Sequence, residues 1–151
     1  MKIVTFLGNG GWFWILCAVV LLAIPKTRKT GYAAVFSLIF GAIVTNLLLK
    51  NIVARPRPFA EIEALIPLIA KPTDFSFPSG HTTASFAVAL VMFRMLPKKI
   101  GIPAVVLAAL VAFSRLYLGV HYPTDVLVGF LVALMGSTVA VWIVRMKMGN
   151  R

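Results

Sequence analysis

Twelve residues, Ser114 to Asp125, bring Arg115, His121 and Asp125 together in a chain that is otherwise largely apolar. Ionisable groups beside apolar spans usually carry function. Pro123 suits the first turn of a helix. His121 then lies just before that turn and Asp125 just inside it, near enough for the carboxylate to reach an imidazole nitrogen. A histidine held in this way is a candidate nucleophile or base.

Two further stretches offer that histidine an anion to act on. In the first, Lys50 is followed by Arg55-Pro56-Arg57-Pro58. A residue before proline favours extended backbone, so Arg57 is expected to leave the helix on a stiff segment and approach an anion from a different side than Lys50. Lysine supplies a point charge and arginine a planar fork, a pairing suited to phosphate oxygens. The plainer account of this stretch alone is a snorkelling lysine with two arginines on anionic headgroups.

The second stretch runs Asp74-Phe75-Ser76-Phe77-Pro78-Ser79-Gly80-His81-Thr82-Thr83. A Pro-Ser-Gly turn opening a helix leaves backbone N–H groups free at its positive end, where an anion is favoured. Ser79 adds a hydroxyl, Gly80 permits close backbone approach, and His81 projects from the same place. Alone, this stretch is equally served by helix capping beside an interfacial histidine. Likewise, Arg115 alone is an interfacial cation, and His121 with Asp125 a helix cap.

The elements that must position these groups are membrane helices. The chain has 151 residues, 60% of them hydrophobic and 13% charged, with a mean hydropathy of +0.96. That composition excludes an ordinary soluble domain and indicates one integral membrane domain over residues 1–151. The net charge of +11 has no polar domain to present it, so lipid headgroups or phosphate are expected as partners rather than nucleic acid. Cys17 is the one cysteine, so no internal disulfide forms. The first apolar run ends at Lys26-Thr27-Arg28-Lys29 without a small-residue cleavage site and reads as a retained span.

Five spans are predicted, giving an all-α polytopic bundle. They cover Gly11 to Ile24 (extended backwards by Ile3 to Leu7), Tyr32 to Leu49, His81 to Leu96, Ile100 to Leu118 and Pro123 to Val144. Glu61 to Ala70, acidic at its start and then apolar, is expected to form a short interfacial helix limited by Pro67. The loops at Lys26, Arg28 and Lys29 and at Arg94, Lys98 and Lys99 face one side, with the tail bearing Arg145, Lys147 and Arg151. They hold nine of the 15 cations and no acid, so that side is expected to be cytoplasmic. Both histidines, all four acids and the remaining loop cations then gather at the outer face with the amino terminus.

Taken together, Lys50 with six residues before Arg57-Pro58, then Pro78-Ser79-Gly80-His81, then Ser114-Arg115 with five residues before His121 and three more before Asp125, resemble a known three-part signature. It is that of the type 2 phosphatidic acid phosphatase superfamily, and it spans about half the chain with every position matched. The resemblance implies that Lys50, Arg57, Ser79, Gly80 and Arg115 hold a phosphate. It implies also that His121 attacks phosphorus, that Asp125 orients it and that His81 protonates the leaving oxygen. The implied activity is metal-independent, cofactor-free hydrolysis of a lipid phosphate monoester or diphosphate through a phosphohistidine. Undecaprenyl pyrophosphate, phosphatidylglycerol phosphate and phosphatidic acid are the candidate substrates.

The small size and outward site suggest a bacterial cytoplasmic-membrane enzyme with its amino terminus out and carboxyl terminus in. The chain departs from the family pattern in one respect. A single span precedes the helix ending in the lysine, where two are usual, and a second protomer is the candidate for closing that side. Two rivals are weighed. Vanadate-dependent haloperoxidases share the signature but look soluble, and a phospholipid-binding or transport protein has no use for the histidines or Asp125.

Overall fold

The computed structural model describes residues 1–149; Arg151, counted above with the basic tail, lies outside the described residues. The elements are α1 (Lys2–Phe6), α2 (Trp12–Ala23), α3 (Arg28–Ala42), α4 (Lys50–Val53), α5 (Pro58–Glu61), α6 (Gly80–Met95), α7 (Lys98–Tyr117) and α8 (Pro123–Met148). A π-helical stretch over Ile43–Leu49 joins α3 to α4 without a break. The fold is thus the all-helical membrane bundle expected. Pro25–Glu61, Lys98–Tyr117 and Pro123–Met148 are each long and apolar enough to cross a bilayer, which needs about 20 residues.

Three differences from the expected elements have local causes. Ile3 to Leu7 do not extend the first span: Gly10 and Gly11 take φ of 57° and 71°, left-handed values that glycine adopts freely, and they turn α1 away from α2. The short helix expected over Glu61 to Ala70 is found instead at Pro58–Glu61, where Pro58 starts the turn; Ile62 is extended, and residues 62–79 form an irregular loop. The last helix continues one turn past Val144, to Met148.

The centre of the bundle is α6, which packs on α3, α7 and α8. At 16 residues it is short for a span, and nearly every position from Thr82 to Val91 is buried by its neighbours. Small residues let the helices meet closely. A Cβ on Gly31 would lie 2.5 Å from the Leu22 backbone nitrogen, and one on Gly101 would lie 2.5 Å from the Phe93 Cα. The packing brings residues 50–58, 79–81 and 115–125 to one end of the bundle. At the other end Arg94 donates to Ser137 Oγ at 2.6 Å and Arg145 to the Arg94 carbonyl at 3.3 Å.

Candidate active site

The first stretch is shaped by its backbone. Ala54, at φ 45° and ψ 39°, ends α4 in the left-handed region, and Arg57 is extended at φ −82° and ψ 156° as its following proline predicts. The two arginines of the Arg-Pro-Arg-Pro run then part. Arg57 is 5% exposed, donating through Nε to the Asp74 carbonyl at 2.8 Å and through Nη2 to Asp74 Oδ1 at 2.6 Å. Its Nη1 donates to the Val120 carbonyl at 2.7 Å. Lys50 pairs with the other oxygen of Asp74. Burial pushes the Asp74 carboxyl up, but hydrogen bonds and charge from Lys50 and Arg57 outweigh it and hold the group at about 2.

Arg55 turns instead to Asp125. It donates to Asp125 Oδ1 at 3.1 Å and to Thr124 Oγ1 at 2.8 Å, with its guanidinium 3.7 Å from the Tyr122 ring centroid. Asp125 is fully buried. It also accepts from the Tyr122 backbone N–H at 2.8 Å and from the Ser76 hydroxyl. It therefore caps α8 and faces the imidazole of His121 at the same time.

His121 Nε2 lies 3.3 Å from Arg57 Nη1. Arginine can only donate, so Nε2 is the bare nitrogen and the proton of the neutral ring sits on Nδ1. That nitrogen is 3.4 Å from Asp125 Oδ2, within ion-pair range yet not aligned for a hydrogen bond. Burial holds the imidazole below its ordinary range, aided by the positive charges of Arg57 and Arg115 and opposed by Asp125. The ring is kept neutral, the form a nucleophile needs.

Ser79 and Gly80 open α6. Ser79 is fully buried and caps the helix, accepting from the Thr82 N–H at 3.4 Å and from its hydroxyl at 3.0 Å. Arg115, 2% exposed, donates to Thr5 Oγ1 at 2.5 Å and keeps a buried Nε with no partner. His81 Nε2 is 2.9 Å from Asn9 Oδ1.

A cavity of about 420 Å³ gathers Lys50, Arg57, Gly80, His81, Arg115 and His121. Of the eight residues singled out from sequence, six line it. Ser79 and Asp125 lie behind, as supports of Gly80 and His121. Asp74, Thr5 and Asn9 also line it and were not foreseen as site residues; nor was Arg55 as a partner of Asp125. Only Asp74 carried a signal, as an acid placed between cationic stretches. Lys2 and Phe6, from the same amino-terminal segment as Thr5 and Asn9, complete their wall of the cavity. A second cavity of about 520 Å³, with Ile15, Val19, Val35, Leu38 and Ile39 in its wall, shares Lys50, Asp74, Gly80 and His81 with the first.

Cations around the cavity and a neutral, carboxylate-backed imidazole are groups that suit a phosphoryl ligand. Comparison with known proteins agrees in kind. The family model described as PAP2 superfamily matches residues 30–149. The chain is 36% identical to an undecaprenyl-diphosphatase of Sulfolobus acidocaldarius, covering 91% of this chain and 66% of that one. It is 40% identical to the undecaprenyl-diphosphatase BcrC of Bacillus subtilis, covering 80% and 61%; the chain thus spans a little under two thirds of the length of these two relatives. Among solved structures, the first transmembrane PAP2 type phosphatidylglycerolphosphate phosphatase from Bacillus subtilis superposes with a TM-score of 0.78 at 29% identity, over 100% of this chain and 78% of that one.

Proposed function

Since the chain belongs to the PAP2 superfamily, we propose that it is an integral membrane lipid phosphatase working without a metal through a phosphohistidine. The observation that carries this reading is the 420 Å³ cavity in which Lys50, Arg57 and Arg115 surround the two imidazoles, with a buried Arg115 Nε left to find a partner. A phosphate dianion would satisfy that donor and compete with Asp74 for Lys50 and Arg57.

In the first step, His121 Nε2 attacks phosphorus in line, the P–O bond to the leaving group breaks, and His81 gives that oxygen its proton. The Nδ1 proton of His121 is held towards Asp125, which stabilises the charge the ring acquires. In the second step, water gives a proton to His81 and its oxygen replaces the histidine on phosphorus. Charge spreads over the phosphoryl oxygens in both steps, where fixed cations and the free N–H groups at the start of α6 act most strongly.

His81 lines both cavities, so the leaving oxygen is expected at the seam between the polar and apolar spaces. A lipid would lie with its phosphate in one and the start of its chain in the other. An isoprenoid diphosphate or phosphatidylglycerol phosphate is preferred as substrate, and the names of the relatives point the same way. The proposed setting is a bacterial cytoplasmic membrane with the site on the outer face.

The test is phosphate release by detergent-solubilised protein from undecaprenyl diphosphate, phosphatidylglycerol phosphate and phosphatidic acid, in EDTA. Turnover of at least one, inhibited by orthovanadate, is expected. No release from any, or release only with an added divalent cation, would overturn the reading.

A further inference from the structure

The amino-terminal arm, residues 2–11, reaches the proposed site through several contacts. Lys2, Thr5, Phe6 and Asn9 line the polar cavity. Thr5 is 5% exposed and accepts from Arg115. Gly8 lies flat against the second imidazole: a Cβ there would come within 2.6 Å of His81 Cδ2 and 2.9 Å of Val111 Cγ1. The arm is fitted to the ring, and the left-handed turn at Gly10 and Gly11 aims it there.

We propose that Asn9 is a positioning residue for His81, holding the ring Nε2 atom through both steps of the reaction. The inference rests on the lipid-phosphatase reading above. In that scheme His81 loses a proton in the first step and gains one from water in the second. A carboxamide has an acceptor and a donor on one group. Its oxygen, 2.9 Å from Nε2, accepts from Nε2–H in the imidazolium and in the neutral ring alike, which leaves Nδ1 to give and take the moving proton. A methyl group accepts nothing, and a carboxylate would add a negative charge that favours the imidazolium and makes the ring a weaker acid.

The experiment compares wild type, Asn9→Ala and Asn9→Asp on whichever of undecaprenyl diphosphate and phosphatidylglycerol phosphate the wild type hydrolyses faster. For Asn9→Ala, kcat is expected to fall about tenfold, in line with one lost hydrogen bond to a reacting group. KM and the vanadate inhibition constant should stay within about twofold of the wild-type values. For Asn9→Asp, the added charge should make the ring a weaker acid and a stronger base, slowing the first step relative to the second, so phosphoenzyme trapped by an alkaline quench should fall below that of wild type. Unchanged kcat in both variants, or a fall in kcat that follows lost thermal stability with KM and inhibition constant rising alongside, would overturn the proposal. A wild type inert on both lipids would remove the functional reading and this inference with it, whereas an active wild type with indifferent variants removes this inference alone.

Discussion

His121 Nε2 sits 3.3 Å from Nη1 of Arg57, so the atom proposed to attack phosphorus touches one of the cations proposed to hold it. The contact fixes which nitrogen is bare and turns the other towards Asp125. His121→Ala and Asp125→Asn should therefore each lower kcat by about 10²-fold to 10⁴-fold, the span typical of lost proton-transfer or nucleophile support. Steady-state assays on detergent-solubilised variants, with melting followed in parallel, check this. Full activity in the first variant would end the nucleophile assignment.

Asp74 engages Lys50 and Arg57 together, the cations a phosphate would need. It is half exposed, so the pairing is a modest competitor, of up to about 1 kcal/mol. Asp74→Asn should tighten vanadate inhibition by about fivefold or less. Because the two cations hold this carboxyl at about 2, it stays charged in mild acid, and the competition should not relax between pH 7 and pH 5. Weaker vanadate binding in the variant would show instead that Asp74 organises the cations.

Burial and the neighbouring arginines lower the His121 pKa, so the neutral ring persists to lower pH than in a free imidazole. The acidic limb of kcat/KM due to this group should fall below about 6.5, the ordinary histidine value. Activity should be lost only as pH drops through that lowered value. A limb above 7 in the pH–rate profile would mean that Asp125 outweighs both arginines and the burial.

Gly31 meets the Leu22 backbone so closely that a Cβ would stand 2.5 Å from its nitrogen. Gly31→Ala should separate α2 from α3 and cost about 1–3 kcal/mol, the usual range for overpacking. Thermal melting in detergent measures it, and an unchanged midpoint would show that the two helices slide apart freely.

Much of the site could be read from the chain because its signals are local. Pro58 forces Arg57 out of the helix, Pro123 starts α8 so that Asp125 falls inside the first turn, and Ser79 caps α6. What depended on distant packing could not be read. Asn9 reaches His81 across 72 positions and Thr5 reaches Arg115 across 110, and no periodicity links them. The Glu61 to Ala70 helix failed for a related reason: its apolar pattern was real, but Pro58 offered an earlier start and the loop was drawn to the bundle, where Leu68 N–H donates to the Leu118 carbonyl.

The polar and apolar cavities share Lys50, Asp74, Gly80 and His81 and otherwise have walls of their own. In the proposed reaction a lipid cut at that junction would leave its two halves in different surroundings, inorganic phosphate among the cations and the alcohol among the apolar side chains of α2 and α3. On that reading neither product would have to pass the other on leaving.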